Sequence, residues 1–125
     1  MSLTKEQILQ ADDIKTETVD VPEWGGKVTI RMMTGTQRDA FEASIIQGGK
    51  TDMQNIRAKL CAAVMVDGDG KPLFTVHEVN ILGSKCAIAL DRIFSVAQKM
   101  NGLSGADIKE LEKNSNGQSD VSTSV

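Results

Sequence analysis

Aromatic residues are scarce in this chain of 125 residues. It has no tyrosine, one tryptophan and three phenylalanines, so aromatic side chains make up only 3% of the sequence. The hydrophobic share is still 40%, and a core therefore has to be built from Ile, Leu, Val, Met and Ala. A single domain of this size can bury roughly two thirds of its unfolded surface, so it needs no disulfide or metal to fold.

The chain also lacks a basic excess, a long apolar run and a signal-peptide-like start. Its net charge is −3 and its Lys and Arg residues are scattered, whereas nucleic-acid affinity normally rests on clustered phosphate contacts. No apolar run approaches the roughly 18 residues of a transmembrane span. The opening MSLTKEQILQADD has no apolar segment of the signal-peptide kind. We therefore expect a cytosolic protein without a nucleic-acid or membrane partner.

Cysteine and histidine are too sparse to indicate a catalytic or metal site. Cys61 and Cys86 have no Cys or His neighbour at metal-ligand spacing, and they are predicted to be buried, reduced thiols. His77 is the only histidine. A hydrolytic site would need it beside a nucleophile and an orienting carboxylate, which its neighbours do not supply. It is predicted to be a surface or boundary residue.

Two motifs imitate ligand sites. Counted from Asp67, DGDGKPLFTVHE has acidic residues at positions 1, 3 and 12, as in a calcium-binding EF-hand loop. Lys71 and Pro72, however, stand where an oxygen ligand and a glycine belong. GGKT at 48–51 ends like a phosphate loop, but Ser44 replaces its first glycine. We expect no metal, no cofactor and no enzymatic activity.

The N-terminal third changes period. LTKEQILQADD is predicted to be a short helix capped by Thr4 with Gln7, with so few apolar residues that it should dock on the rest or fray. Residues 15–33 alternate apolar and polar side chains, which predicts a β-hairpin. Its register is expected to pair Val21 with Val28 and Val19 with Ile30, leaving residues 23–26 as the loop and placing all four apolar side chains on one face.

Helical periodicity follows. A Thr36–Asp39 spacing resembles a capping box, and so does Thr75–Glu78. The broadest apolar face marks 84–101 as the central helix. The sequence predicts an α+β domain over 1–113, in which the N-terminal hairpin packs on four to five helices. Predicted helices cover 36–47, 52–66, 75–82, 84–101 and 104–113. The Ser/Asn-rich tail 114–125 is expected to be flexible.

A family resemblance adds to this reading. Residues 3–42 resemble the tail assembly chaperones of long-tailed bacteriophages with non-contractile tails, most tellingly in VPEWGG at 21–26, VTIRMMTG at 28–35 and QRDAFE at 37–42. The helical remainder, including VDGDGKPLF and LSGADIKELEKNS, is also similar to that family. The resemblance covers nearly the whole chain except its last residues, and its specificity lies in the combination of motifs.

The resemblance implies a role in tail morphogenesis. Such proteins bind the tape measure protein, a very long and largely helical chain, and keep it soluble until tail tube protein polymerises around it. They are absent from the finished virion. In many relatives a ribosomal frameshift appends a second domain that recruits tube subunits. This chain then corresponds to the short form, acting in the host cytoplasm, with a possible homo-oligomeric state. The alternative is a small structural tail or connector component retained in the particle.

The candidate partner-binding residues are Trp24, Met32 and Met33. Methionine suits a permissive groove for helical clients, and the faces of helices 53–66 and 84–101 not used internally are further candidates. All of these residues have core packing as their alternative role. For Trp24, the favoured prediction is that the indole folds back over the hairpin or onto a helix. Its alternative is a contact with a client or a neighbouring subunit.

Overall fold

The computed structural model describes residues 2–47, 50–51 and 53–103. These residues form an α+β fold, in which a three-stranded antiparallel sheet of order β1-β2-β5 packs with five α-helices. A second, two-stranded sheet joins β3 and β4. The elements in chain order are α1 (Lys5–Gln10), β1 (Thr16–Val21), β2 (Gly26–Arg31), α2 (Gly35–Ser44), β3 (Ile46–Gln47), β4 (Lys50–Thr51), α3 (Ile56–Val64), β5 (Met65–Val66), α4 (Val79–Gly83) and α5 (Ala87–Met100). The fold class matches the prediction.

The hairpin has the predicted inward face but a different register. Val19 pairs with Val28, and Val21 pairs with Gly26, so the expected pairing of Val21 with Val28 and of Val19 with Ile30 is wrong by two residues. The physical reason is the 3₁₀ turn Pro22–Trp24, closed by Gly25 at φ 73°, which reverses the chain at once after β1. A two-residue shift keeps every side chain on its face. The four apolar residues therefore still point toward the core.

The predicted helix 52–66 is shorter at both ends. It begins at Ile56 after Asn55, which has φ 59°, and it ends at Val64. Met65 and Val66 form β5 instead and pair with Ile30 and Thr29. The free edge of β2 offers these residues hydrogen-bond partners as well as a buried position, and this explains why the apolar pattern continues past the end of the helix.

The predicted helix 36–47 begins and ends earlier. The cap is Thr34 rather than Thr36: Gln37 donates its amide to Thr34 Oγ1 (3.1 Å), and Thr34 donates its amide to Gln37 Oε1 (2.9 Å). This reciprocal capping box fixes the start at Gly35. The helix ends at Ser44 because β3 follows at once and pairs with β4. Positions 48–49, expected to terminate the helix, lie outside the described residues.

The segment expected to be one helix over 75–82 is composite. A 3₁₀ turn, Val76–Glu78, leads directly into α4. The predicted Thr75–Glu78 box is present, because the Thr75 amide donates to Glu78 Oε1 at 2.9 Å. His77 is exposed in this turn, as predicted.

The central helix is confirmed as α5, although it starts at Ala87 rather than at 84. It contacts α3, both strands of the hairpin and the Pro22–Trp24 turn. Its buried stripe closes the core together with α3, and the fully buried large side chains are all aliphatic or sulfur-containing, as the scarcity of aromatics required. They are Ile30, Ile45, Leu60, Met65, Leu82, Ile93, Val21, Val64 and Cys61.

Asn101 joins three elements just beyond α5. Its side-chain Oδ1 accepts the Met33 amide at 2.7 Å, and its Nδ2 donates to the Ala97 carbonyl at 2.9 Å. Arg38 in the first turns of α2 donates from Nη1 to the Asn101 carbonyl at 2.8 Å. The following Leu103 is buried. The end of α5 is therefore fastened to the start of α2. The predicted helix 104–113 and the predicted flexible tail 114–125 lie outside the described residues.

Only one of the two cysteines is buried. Cys61 lies in the core, where its thiol donates to the Leu90 carbonyl at 3.6 Å, and burial raises the pKa of this thiol to about 12. Cys86 is exposed, so the prediction of a second buried thiol is wrong. The reason is that Cys86 occupies the cap position in front of α5, outside the stripe that faces the core.

Helix α1 is formed but buries none of its residues. Its predicted capping box is confirmed: Thr4 donates its amide to Gln7 Oε1 at 2.9 Å, and Gln7 donates its amide to Thr4 Oγ1 at 3.2 Å. Ile8 and Leu9 are 56% and 73% exposed, and the preceding Leu3 is 70% exposed. The local sequence therefore makes a helix whose apolar side chains contact no core.

Candidate partner-binding groove

A groove of about 670 Å³ lies between α2, α3 and the segment that leads into α4. One face of α2 forms the first wall, with Gln37, Ala40, Phe41 and Ser44 at the 3–4–3 spacing that places residues on one side of a helix. The second wall comes from α3, and the third comes from residues 72–80. The other lining residues are Gln54, Asn55, Lys59, Ala62, Ala63, Pro72, Phe74, Thr75, Val76, His77, Val79 and Asn80.

Small side chains make this surface concave. Ala40 on α2 faces Ala62 and Ala63 on α3, and these residues leave space between the two helices. Phe41 is buried at the base of the groove, whereas Val76 stands 81% exposed on the third wall. A soluble protein rarely exposes a contiguous apolar surface without a binding role, so this groove is the candidate interaction site.

The groove carries little charge. Its lining includes no Asp or Glu, and Lys59 is its sole Lys or Arg. The Lys59 ammonium donates to the Ser44 carbonyl at 2.9 Å, which holds it near the α2 wall. Amide side chains supply the remaining polarity, and Asn55 donates to Asn80 at 2.9 Å across the second and third walls. The groove therefore suits an apolar partner surface that also carries an acidic or amide side chain.

None of the three residues proposed from the sequence lines this groove. Met33 is 8% exposed and belongs to the core. Met32 is half-buried, and its sulfur accepts the Lys15 amide at 3.4 Å. Trp24 is half-buried and packs against the core cluster, so the indole folds back onto the protein as favoured. A partner contact by any of the three stays a prediction, and for Met33 such a contact needs the core to open.

The groove itself was only partly foreseen. The sequence pointed to unused faces of the segments 53–66 and 84–101; α3, within the first segment, does supply Lys59, Ala62 and Ala63. It did not point to α2 or to the turn before α4. The available signal was the run of small residues that breaks the apolar stripes, namely Ala40 and Ser44 on α2 and the Ala62–Ala63 pair on α3.

An ion pair holds the hairpin tip onto α5. Arg92 donates from Nε and Nη2 to the two carboxylate oxygens of Glu23, each at 2.8 Å. Such a bidentate pair has defined geometry. Because Glu23 precedes Trp24, the same contact fixes the loop from which the indole folds back. The hydrogen bonds from Arg92 lower the pKa of Glu23 below its ordinary value of 4.5.

Trp24→Ala is expected to lower the free energy of unfolding by about 2 kcal/mol. The loss is smaller than the roughly 3–5 kcal/mol of a fully buried aromatic, because half of the indole is already in water. Chemical denaturation measures it, with Trp24→Phe as the variant that keeps most of the packing. Unchanged stability combined with lost client binding would instead assign Trp24 to a partner contact.

Arg92→Gln is expected to raise the pKa of Glu23 toward its ordinary value, because the variant lacks the cation and one arm of the bidentate contact. A carboxyl whose pKa is depressed in the folded state stabilises the fold above its unfolded pKa, and this stabilisation is lost as pH falls through the folded pKa. Carboxyl NMR titration of both proteins measures the shift. Arg57→Gln, which removes the separate pair with Asp91, should leave the Glu23 titration in place.

The EF-hand-like segment is a closed turn. Asp67 Oδ1 accepts the amides of Asp69 at 2.8 Å and Lys71 at 3.0 Å, so the first carboxylate of the motif binds its own loop. Across the described ranges, no three His, Cys, Asp or Glu side chains are grouped in a way that could hold a metal ion. Among these same residues, no helix is long and apolar enough to span a membrane. The expected absence of metal, cofactor and catalysis stays a prediction.

The described residues define an α+β protein with a helix-walled apolar groove. No known protein-family model matches the chain, and no curated protein matches it either. Among solved structures, it is similar to one described as the tail assembly chaperone of bacteriophage HK97, with a TM-score of 0.55 and 23% sequence identity. The match covers 76% of this chain and 94% of that one. At this identity the likeness shows a shared fold, which supports the resemblance drawn from the sequence distantly and through structure alone.

Proposed function

We propose that this protein is a bacteriophage tail assembly chaperone that binds the tape measure protein and keeps it soluble while the tail tube forms around it. The observation that carries the proposal is the fold shared with the HK97 protein over 76% of this chain. The motifs VPEWGG, VTIRMMTG and QRDAFE point to the same family independently of the coordinates. The proposed activity is binding alone, without catalysis.

The groove is the proposed client site. A long helical client offers amphipathic segments, and such segments bind by laying their apolar face into a groove between helices. Ala40, Ala63 and Val76 line such a surface on three walls. Lys59 can pair with an acidic residue of the client, and the absence of carboxylates from the lining avoids repulsion of that residue. Amide side chains at the rim tolerate sequence variation, which suits a client with many similar segments.

The proposed setting follows from the same family role. The chaperone acts in the host cytoplasm, is absent from the mature virion, and has neither a nucleic-acid nor a membrane partner. A longer, frameshifted form recruits tail tube protein. Mass spectrometry of purified virions tests the absence, because stoichiometric copies of this chain in the particle would favour the alternative structural role in the tail or connector.

Co-expression with the tape measure protein of the same phage tests the function. We expect the long protein to move from the insoluble to the soluble fraction when this chain is present, and to co-purify with it. A tape measure protein that stays insoluble in both cultures, with no complex recovered, contradicts the proposal. An unrelated small acidic protein expressed at the same level controls for general effects on solubility.

A further inference from the structure

Two unsatisfied apolar surfaces occur in the same chain. One is the groove described above. The other is the N-terminal arm, defined as residues 2–10, which contains α1. No residue of the arm lines the groove, and within the described residues the arm leaves Leu3, Ile8 and Leu9 mostly in water.

The arm is built to be a helix, yet it cannot be stable alone. Its capping box is complete, with Thr4 and Gln7 exchanging both hydrogen bonds. A helix of six residues has too few hydrogen bonds to offset nucleation, since isolated helices shorter than about 12 residues are marginal in water. The local sequence therefore specifies a helical shape whose stability has to come from packing against another surface.

The base of the arm is fixed to the domain. Met32 donates its amide to the Lys15 carbonyl at 2.9 Å, while the Lys15 amide donates to the Met32 sulfur at 3.4 Å. Between this anchor and α1, the segment 11–15 has no regular secondary structure. The arm thus projects from a defined point on a short tether, a geometry that permits exchange between copies.

The charges of arm and groove are complementary. From residue 2 to residue 13 the chain has one cation, Lys5, and three acidic residues, Glu6, Asp12 and Asp13. The groove lining has Lys59 and no Asp or Glu. An arm placed along the groove brings net negative charge to a surface with positive charge, and three large aliphatic side chains to walls of alanine, valine and phenylalanine.

We propose that the arm of one copy occupies the groove of a second copy, with the second arm returning to the first groove. Reciprocal exchange makes a two-fold contact that closes on itself, so it yields a dimer rather than an open chain. Each exchange buries Leu3, Ile8 and Leu9 without altering the core. The inference goes beyond the proposed function and does not depend on it, since both surfaces belong to this chain.

Sedimentation velocity of the full chain over a concentration series tests the dimer. We expect wild-type protein to dimerise, and both Ile8→Glu/Leu9→Glu and Val76→Glu to raise the dissociation constant by tenfold or more. These positions are exposed, so circular dichroism should show folded variants. The matched control is Ile88→Glu, which alters a 60% exposed isoleucine outside arm and groove and should leave the dimer intact.

Mixing the two defective variants separates arm exchange from other interfaces. The arm variant retains its groove and the Val76→Glu variant retains its arm, so the mixture regains one of two contacts and should form a weak heterodimer. The proposal is overturned by a wild-type monomer at all concentrations, by a dimer that neither variant weakens, or by a mixture that stays monomeric. Concentration-independent protection of α1 from hydrogen exchange would place the arm in its own groove and also overturn it.

Discussion

Ala40→Arg is expected to leave the tape measure protein in the insoluble fraction on co-expression, whereas wild-type protein makes it soluble. Ala40 is an exposed residue on the groove face of α2. Arginine there fills the space between the walls and adds a second cation near Lys59. Since arginine is a good helix former, α2 itself should be retained. Fractionation of the co-expressing cells, with quantitative gels, measures the effect.

Ala43→Arg is the matched control for this variant. Ala43 is also an exposed alanine of α2, but it does not line the groove. The control should keep the client soluble at wild-type levels. Equal loss in both variants would point to damage of α2 rather than of the groove, and full activity of Ala40→Arg would remove the groove from the client site while leaving the chaperone role open to other surfaces.

Ile93→Ala is expected to produce the largest loss of stability, about 2–5 kcal/mol in the free energy of unfolding. Ile93 is fully buried at the middle of α5, the helix that contacts α3 and the hairpin. Removing its side chain leaves a cavity between elements that cannot all move inward together. The melting temperature should fall by roughly 10 °C or more for a domain of this size. Urea unfolding followed by circular dichroism measures the change.

Ile88→Ala provides the comparison on the same helix. Ile88 is 60% exposed, so the same chemical change there should alter stability by no more than about 0.5 kcal/mol. Similar losses at both positions would mean that helix propensity, and not core packing by α5, determines the stability of this domain.

The sequence predicted the elements better than their pairing. Alternation placed Val19 and Ile30 on the same face, and this face is correct even though the hairpin register is displaced by two residues. Periodicity cannot detect such a displacement, because an even shift leaves every side chain on its side of the sheet. Only the geometry of the Pro22–Trp24 turn sets the register.

Long-range pairing was the part that the sequence did not reveal. Met65 and Val66 continue an apolar helical pattern, and they become a strand because β2 has a free edge beside them. The choice between the Thr34 and Thr36 caps was also ambiguous, since both start plausible boxes. It is resolved in favour of Thr34 by the glutamine three positions later, whose side chain returns to the Thr34 amide.

The groove depends on an arrangement of helices that no local pattern encodes. Each wall contains small or amide residues that look like ordinary helix surface when read alone. They become a site only when α2, α3 and the turn before α4 are brought together. Trp24 and the methionines attracted attention because of their size and rarity, yet Met33 lies in the core. Size and hydrophobicity therefore identify core residues more readily than they identify an interaction surface.

The fastening of Asn101 to the first turns of α2 sets the starting point of everything that follows in the chain. Arg38, which holds the Asn101 carbonyl, is the neighbour of Gln37 on the groove wall. Any sequence appended after Leu103 consequently leaves the domain beside the same helix that a groove ligand contacts. Two partners, one in the groove and one held by the appended sequence, are thereby kept at a high local concentration relative to each other.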